Sequence, residues 1–273
     1  MTALRTHFVS RTLLYALAFA MALWVILPVY FITLGAFSTP DAVYAYPREL
    51  LPHHLSTDTL SFFLHSNGII PALERSVIVA AITLTFALGI GTPAGYALAR
   101  FAFRGADGFR LTIVSTRAFP IVILAIPLSV TFLRWGIDDS VIGVAIAHTA
   151  LALPFAVLTT SSVFAGISEE LEEAAMTLGC SRLSAVCRII LPLALPGLAA
   201  AAIFVFIISW NDVFAASVLT LRHRTLPAQV LTASGEAPLP YRVAGGFFLL
   251  APSLIVIFVI RKYLFSMWGR VMR

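Results

Sequence analysis

Residues 166–192 read GISEELEEAAMTLGCSRLSAVCRIILP. Ser168 suits a helix N-cap, and Glu169 and Glu170 then fall in the first turn, where carboxylates complement the helix dipole. Leu171, Ala174, Ala175 and Leu178 recur at helical spacing. Gly179 suits the left-handed position that closes a helix, and Ser181 can cap a second helix running through Arg182 and Arg188 toward Pro192. The stretch therefore predicts a short helix over residues 168–178, a glycine bend, and a second helix. An amphipathic helix lying on lipid is one reading. Such helices carry a basic polar face toward anionic inner leaflets, however, and this face is acidic. Docking on another protein is the better reading.

The surroundings of this loop are apolar. Of 273 residues, 60% are hydrophobic and 11% are charged, and the mean hydropathy is +0.96. A soluble domain is about 25% charged. Too few polar residues exist to cover a water-facing surface, which excludes a soluble enzyme, a disordered chain and a nucleic-acid-binding domain. The two cysteines, Cys180 and Cys187, form neither a disulfide framework nor a metal pattern. The sole lysine, Lys262, reflects codon bias and carries no mechanistic reading.

A membrane-spanning helix needs about 20 mostly apolar residues. Residues 12–34, 76–99, 111–133, 140–165, 189–211 and 243–260 qualify, interrupted only by Arg117 in the third. The expected class is an all-α polytopic membrane protein of six transmembrane helices in one domain over 1–273. The first stretch is too long for a signal-peptide core and is read as a retained helix. Arg5, Arg11, Arg100, Arg104, Arg110, Arg182, Arg188, Arg261, Lys262, Arg270 and Arg273 fall on one side, and Arg48, Arg75, Arg134, Arg222, Arg224 and Arg242 on the other. That bias predicts cytoplasmic termini. It makes 166–192 a cytoplasmic loop and 37–75 and 212–242 outer segments, whose prolines, among them Pro52, Pro227 and Pro238, argue for irregular caps.

At this point a resemblance becomes specific. Glu173-Ala174-Ala175, Gly179, Ile189, Leu191 and Pro192 are similar to the E-A-A-x3-G-x9-I-x-L-P signature of ABC-importer permease subunits. Residues 96–105, YALARFAFRG, resemble the carbohydrate-importer, maltose-permease-like branch, as do Leu153-Pro154-Phe155, Trp210-Asn211-Asp212 and Arg224-Thr225-Leu226-Pro227. The resemblance implies the type I importer permease fold in the cytoplasmic membrane of a bacterium. It implies transport of a sugar, a disaccharide such as trehalose. The implied partners are a second, homologous permease in a heterodimer, two copies of an ABC ATPase that holds the ATP and Mg, and an extracytoplasmic sugar-binding lipoprotein. Glu173, Ala174, Ala175, Gly179, Ile189, Leu191 and Pro192 are then the ATPase-coupling residues. Trp210, Asn211 and Asp212 belong to the substrate path, and Arg224, Thr225, Leu226, Pro227, Thr232, Ser234 and Gly235 to the loop that meets the binding protein. Two positions depart from the pattern. Leu178 stands where many members have Asp, so one polar contact to the ATPase is missing or replaced. The tail, WGRVMR over 268–273, lacks the small residues and Lys-Gly of the family, so it does not support the ATPase contact made by that tail in relatives.

No catalytic residue, metal site or cofactor is expected on this chain, and no partner nucleic acid. G-x-x-x-x-G-K-[ST] does not occur, so ATP must be hydrolysed elsewhere. A rival is an ion-coupled secondary transporter. That class usually needs an intramembrane acid, and the six stretches contain no Asp or Glu. An intramembrane enzyme is a weaker rival, since H-E-x-x-H is absent and Asp107 sits in the turn 105–108. Arg117 either snorkels to the interface or bonds neighbouring helices and lines the path. His148 reads as a hydrogen-bonded helix contact. Trp210 is either an interface-belt indole or a stacking face for sugar, and Asn211 can serve hydroxyls as donor and acceptor.

Overall fold

The computed structural model describes residues 2–47, 50–51 and 54–271. Arg48, Pro52, Met272 and Arg273 lie outside the described residues, and so do the side chains of 268–271, on which the reading of the tail rests. All regular elements among the described residues are helical: α1 (Thr2–Ala36), α2 (Pro40–Tyr44), α3 (Asp58–Leu64), α4 (Ile69–Arg100), α5 (Ala106–Thr116), α6 (Ile121–Trp135), α7 (Val141–Ala165), α8 (Glu170–Thr177), α9 (Arg182–Ala185), a π-turn (Val186–Ile190), α10 (Leu191–Trp210), α11 (Phe214–Leu219), α12 (Leu226–Ala233) and α13 (Leu239–Val271).

Among the described residues, five helices are long and apolar enough to cross a membrane: Leu13–Ala36, Ile69–Arg100, Val141–Ala165, Arg182–Trp210 and Leu239–Arg261. The third expected span, 111–133, is not one helix. It is the pair α5 and α6, bent by 87° and counted as a sixth span only if taken together. Pro120 supplies the reason. A proline disfavours helical backbone in the residue before it, and Pro120 itself is extended, with φ −62° and ψ 131°. Helices α1, α4 and α13 overrun their charge-free stretches, α4 starting at Ile69 and not at 76. Helical hydrogen bonding continues into the interface, where Glu74 and Arg75 can be solvated, so a charge-free window marks only the hydrocarbon part.

The chain divides into two compact units, Met1–Asn67 with Ser234–Leu250, and Gly68–Ala233 with Ala251–Arg273. In the first, Phe63 is fully buried and stacks on Phe248 at 5.3 Å, while Phe37 meets Phe247 edge-on at 5.2 Å. Thr59 donates its hydroxyl to the Ser38 carbonyl at 2.6 Å. Only 6% of the apolar window of α1 is buried. Such a helix is solvated by lipid and needs no protein core around it.

The second unit is built on α4, α7 and α10. Ala87, Ala152, Ala156 and Val205 form a fully buried seam where the three meet. Small residues bring α4 and α7 together, as is usual between membrane helices. A Cβ added at Gly95 would lie 2.1 Å from Thr160 Oγ1 and 2.7 Å from Ser161 N, and one at Gly91 2.8 Å from Ala156 Cβ. The Thr160 hydroxyl lies 2.9 Å from the Gly91 carbonyl, an interhelical hydrogen bond that this approach allows.

Candidate functional site

The loop 166–192 forms an elbow. Ser168 Oγ accepts from the Glu170 N–H at 3.3 Å, and α8 begins at Glu170, slightly later than expected. Gly179 adopts φ +92°, the left-handed value expected of it. Cys180 N–H bonds the Ala175 carbonyl at 3.1 Å and Gly179 N–H the Met176 carbonyl at 3.0 Å, the paired bonds of a Schellman closure. Ser181 Oγ then accepts from Ser184 N–H at 3.3 Å and starts α9. Pro192 has no N–H, and a proline ring crowds the carbonyl four residues back. The backbone widens ahead of it into the π-turn, where the Leu191 N–H reaches the Val186 carbonyl. Ile189 is half-buried and Ile190 fully buried against Phe164 and Ala194, so the elbow continues without a break into α10.

The side chains of α8 sort differently from the pattern of the sequence. Leu171, Glu173, Ala174 and Leu178 are exposed, Leu178 at 87%, whereas Glu172 and Ala175 are buried at 4% each. The expected Ala174–Ala175 pair is therefore split, one facing out and one packed inside the chain. Glu172 is the residue that sequence reasoning missed. Tyr96 donates its hydroxyl to Glu172 Oε1 at 2.6 Å. Arg100 Nε stands 3.5 Å from Glu172 Oε2, and Arg182 Nε 3.4 Å from Oε1. Arg100 also donates to the Ile167 carbonyl at 2.8 Å and meets Glu169 at 3.6 Å. Four carboxylates, Glu169, Glu170, Glu172 and Glu173, crowd the loop's sequence within five residues, and spacing alone does not say which one turns inward.

At the other end of the same unit, Trp210 is 2% exposed, its ring parallel to Phe206 at 5.5 Å, while Asn211 is exposed. Asp212 Oδ2 accepts from the Ala216 N–H at 3.0 Å and lies 3.1 Å from His148 Nε2. His148 Nδ1 lies 3.0 Å from Ser209 Oγ, so His148 is the hydrogen-bonded helix contact expected of it. Thr225, Leu226 and Pro227 are buried, and Arg224 is half-buried. Leu226 N–H donates to Ser76 Oγ at 2.7 Å, which anchors this motif to α4. Thr232 and Gly235 are exposed and Ser234 is half-buried.

A cavity of about 970 Å³ opens along the broken third span, walled by α4, α5, α6 and α7, with Ile208 from α10. Its lining is apolar apart from Arg117 and three threonines. Arg117 stands at the break between α5 and α6, exposed, its Cζ 5.7 Å from the centre of the Phe155 ring on α7.

The profile described as the binding-protein-dependent transport system inner membrane component matches residues 91–267. The chain belongs to this family of ABC-importer permeases. The permease is 30% identical over 220 residues to the trehalose transport system permease protein SugB of Mycobacterium tuberculosis, covering 78% of this chain and 80% of that one. It is also 30% identical over 203 residues to the spermidine/putrescine transport system permease protein PotC of Escherichia coli, covering 74% and 77%. Its fold is that of the crystal structure of a bacterial ABC transporter involved in the import of the acidic polysaccharide alginate. The TM-score is 0.74 at 23% identity, over 95% of this chain and 98% of that one. The permease is thus a transport subunit, not an enzyme, and its ATPase is a separate chain.

Proposed function

We propose that this permease carries a sugar, a disaccharide such as trehalose, across the cytoplasmic membrane of a bacterium. It does so in a heterodimer with a homologous permease, two copies of an ATPase holding ATP and Mg, and an extracytoplasmic sugar-binding lipoprotein. Both termini are cytoplasmic in this reading. The observation that carries it is the exposed stripe of Leu171 and Ala174 on α8 and Leu178 at its C-terminal end, with Glu173 beside it. An apolar stripe facing away from its own chain, on a helix closed at both ends, is suited to a groove on another protein. Gly179, Ile189, Leu191 and Pro192 then carry the movement of that helix into α10. ATP must favour one permease conformation over the other, or no transport follows.

Relatives named for a sugar and for polyamines are equally identical to this chain, so identity does not choose between them. The sugar reading rests on the motifs at 96–105, 153–155, 210–212 and 224–227. The cavity along the third span supports it, because its lining holds a guanidinium and no carboxylate to attract a polyamine. In this reading Asn211 and Asp212 border the path, Trp210 supports them from within, and Thr232, Ser234 and Gly235 face the binding protein. The test is uptake of labelled trehalose by cells with and without this chain, with unlabelled trehalose, maltose, a glycerol-phosphate sugar and spermidine as competitors. Loss of trehalose uptake in the deletion, competed by disaccharide, is the expected result. Uptake competed by spermidine alone would sink the sugar reading.

A further inference from the structure

We infer that Tyr96, Arg100 and Glu172 form a strut through which α8 moves α4, a second route for the ATPase stroke beside the covalent one through α9 and α10. The inference rests on the docking of α8 proposed above and assigns roles to three residues outside the coupling signature. α8 continues through the Gly179 bend into α9 and α10, and that path reaches only the fifth span. α4 lies 76 residues away along the chain from Glu172 to Tyr96, yet the two are joined by a 2.6 Å hydrogen bond.

Three features make this contact a strut and not a surface ion pair. First, it is buried: the side chains of Arg100 and Glu172 are each 6% exposed. Exposed pairs contribute little, whereas removing one member of a buried pair leaves a charge uncompensated. Second, its ends are stiff. The Tyr96 ring is packed edge-on against Phe164 at 5.5 Å and Phe101 at 6.1 Å. The Arg100 guanidinium is held by the Ile167 carbonyl at 2.8 Å, which ties the start of the loop to the end of α4. Third, it is unsaturated. Arg100 Nε and Glu172 Oε2 are buried, have no hydrogen-bond partner, and face each other at 3.5 Å. A charge-assisted hydrogen bond forms at about 2.8 Å. A small displacement of α8 toward α4 closes that gap, so the contact has different energies in different conformations. A difference of that kind is what a coupling element must supply. Arg182, 53% exposed, neutralises the same carboxylate from α9 and keeps the elbow in register with the strut.

The experiment uses the whole importer with its ATPase and loaded binding protein in proteoliposomes, and measures sugar moved per ATP hydrolysed. Tyr96→Phe keeps the ring against Phe164 and Phe101 and removes only the hydroxyl. Glu172→Gln keeps the shape and removes the charge. Both are expected to lower the ratio, Tyr96→Phe by about tenfold, as for one hydrogen bond to a charged group. The ATPase should still co-purify in wild-type stoichiometry, and the double variant should be no worse than the weaker single one. A purely structural role changes the amount of assembled complex and leaves the ratio alone. Wild-type ratios in Tyr96→Phe and Glu172→Gln overturn the strut, as does loss of the ATPase from either variant, which would place these residues in docking. Failure of the unmodified permease to retain its ATPase overturns the docking reading instead.

Discussion

His148 Nε2 lies 3.1 Å from Asp212 Oδ2, which joins the N-terminal part of α7 to the chain just beyond α10. The imidazole is 1% exposed and the carboxylate 14%. Ser209, 3.0 Å from His148 Nδ1, lies 3.4 Å from Thr83 and extends the contact to α4. His148→Ala leaves the carboxylate with the Ala216 N–H, and losing one hydrogen bond to a charged group costs about 1.5–3 kcal/mol. The unfolding midpoint of the purified permease should fall clearly. Adding Asp212→Ala should recover part of the loss, and strictly additive losses would show that the two residues are not coupled.

Gly95 should tolerate no side chain. A Cβ there meets Thr160 Oγ1 at 2.1 Å and backbone Ser161 N at 2.7 Å, and backbone cannot swing aside. Gly95→Ala is expected to destabilise by about 1–3 kcal/mol through overpacking. Gly89→Ala, with nothing within 4 Å, is the matched control on the same helix. Equal unfolding midpoints for the two variants would contradict the close α4–α7 approach.

Asp139 ties the turn before α7 to residues 221–223. Its Oδ1 accepts from the N–H groups of Leu221, Arg222 and His223 at 2.8, 3.0 and 3.0 Å, and Oδ2 lies 3.0 Å from His223 Nδ1. Burial pushes its pKa up, but the four hydrogen bonds outweigh that and hold it at about 2, below the ordinary 3.8. Because the folded value is the lower one, the stabilisation is fully present above the unfolded pKa and is lost as pH falls from about 4 toward 2. Unfolding free energy measured down that range should decline in the wild type, and Asp139→Asn should remove this part of the decline. An unchanged slope in Asp139→Asn would assign the acid sensitivity to other carboxylates.

The elbow gives the sharpest test of ATPase coupling. Gly179→Val forces a β-branched residue to φ +92° at a cost of about 1–2 kcal/mol. Ala174→Asp places a charge on the exposed stripe, where burial by a partner is expensive. Both variants should insert normally and lose ATPase association or sugar-stimulated ATP hydrolysis. Glu173→Gln should weaken coupling more than Glu169→Gln. Full stimulation in both Gly179→Val and Ala174→Asp would remove this loop as the coupling element.

Deleting residues 232–238 should leave the complex assembled and impair uptake. Thr232 and Gly235 are exposed, while the neighbouring Thr225, Leu226 and Pro227 are buried and anchored through Ser76. The deletion therefore spares the anchor. Uptake rates in vesicles supplied with loaded binding protein decide the matter, and an unchanged rate would make the segment a passive cap.

Much of this permease is legible along the chain because the controlling physics is local. Hydropathy over about 20 residues marks the spans, since lipid selects on the composition of each stretch. Gly179 and Ser181 are readable because backbone sterics and capping act over four or five residues. Residues far apart in sequence meet by rules that no short window contains. Glu172 is one of several neighbouring acids until α4 brings Tyr96 and Arg100 beneath it. Ala174 and Ala175 are equivalent in the sequence until α8 turns one outward. Leu226 reads as loop until Ser76 holds it. Burial of these polar groups is tolerable only where partners from other helices satisfy them. Their roles were therefore decided by the packing of α4 against the elbow and against α12, a property of the assembled fold and not of any single stretch.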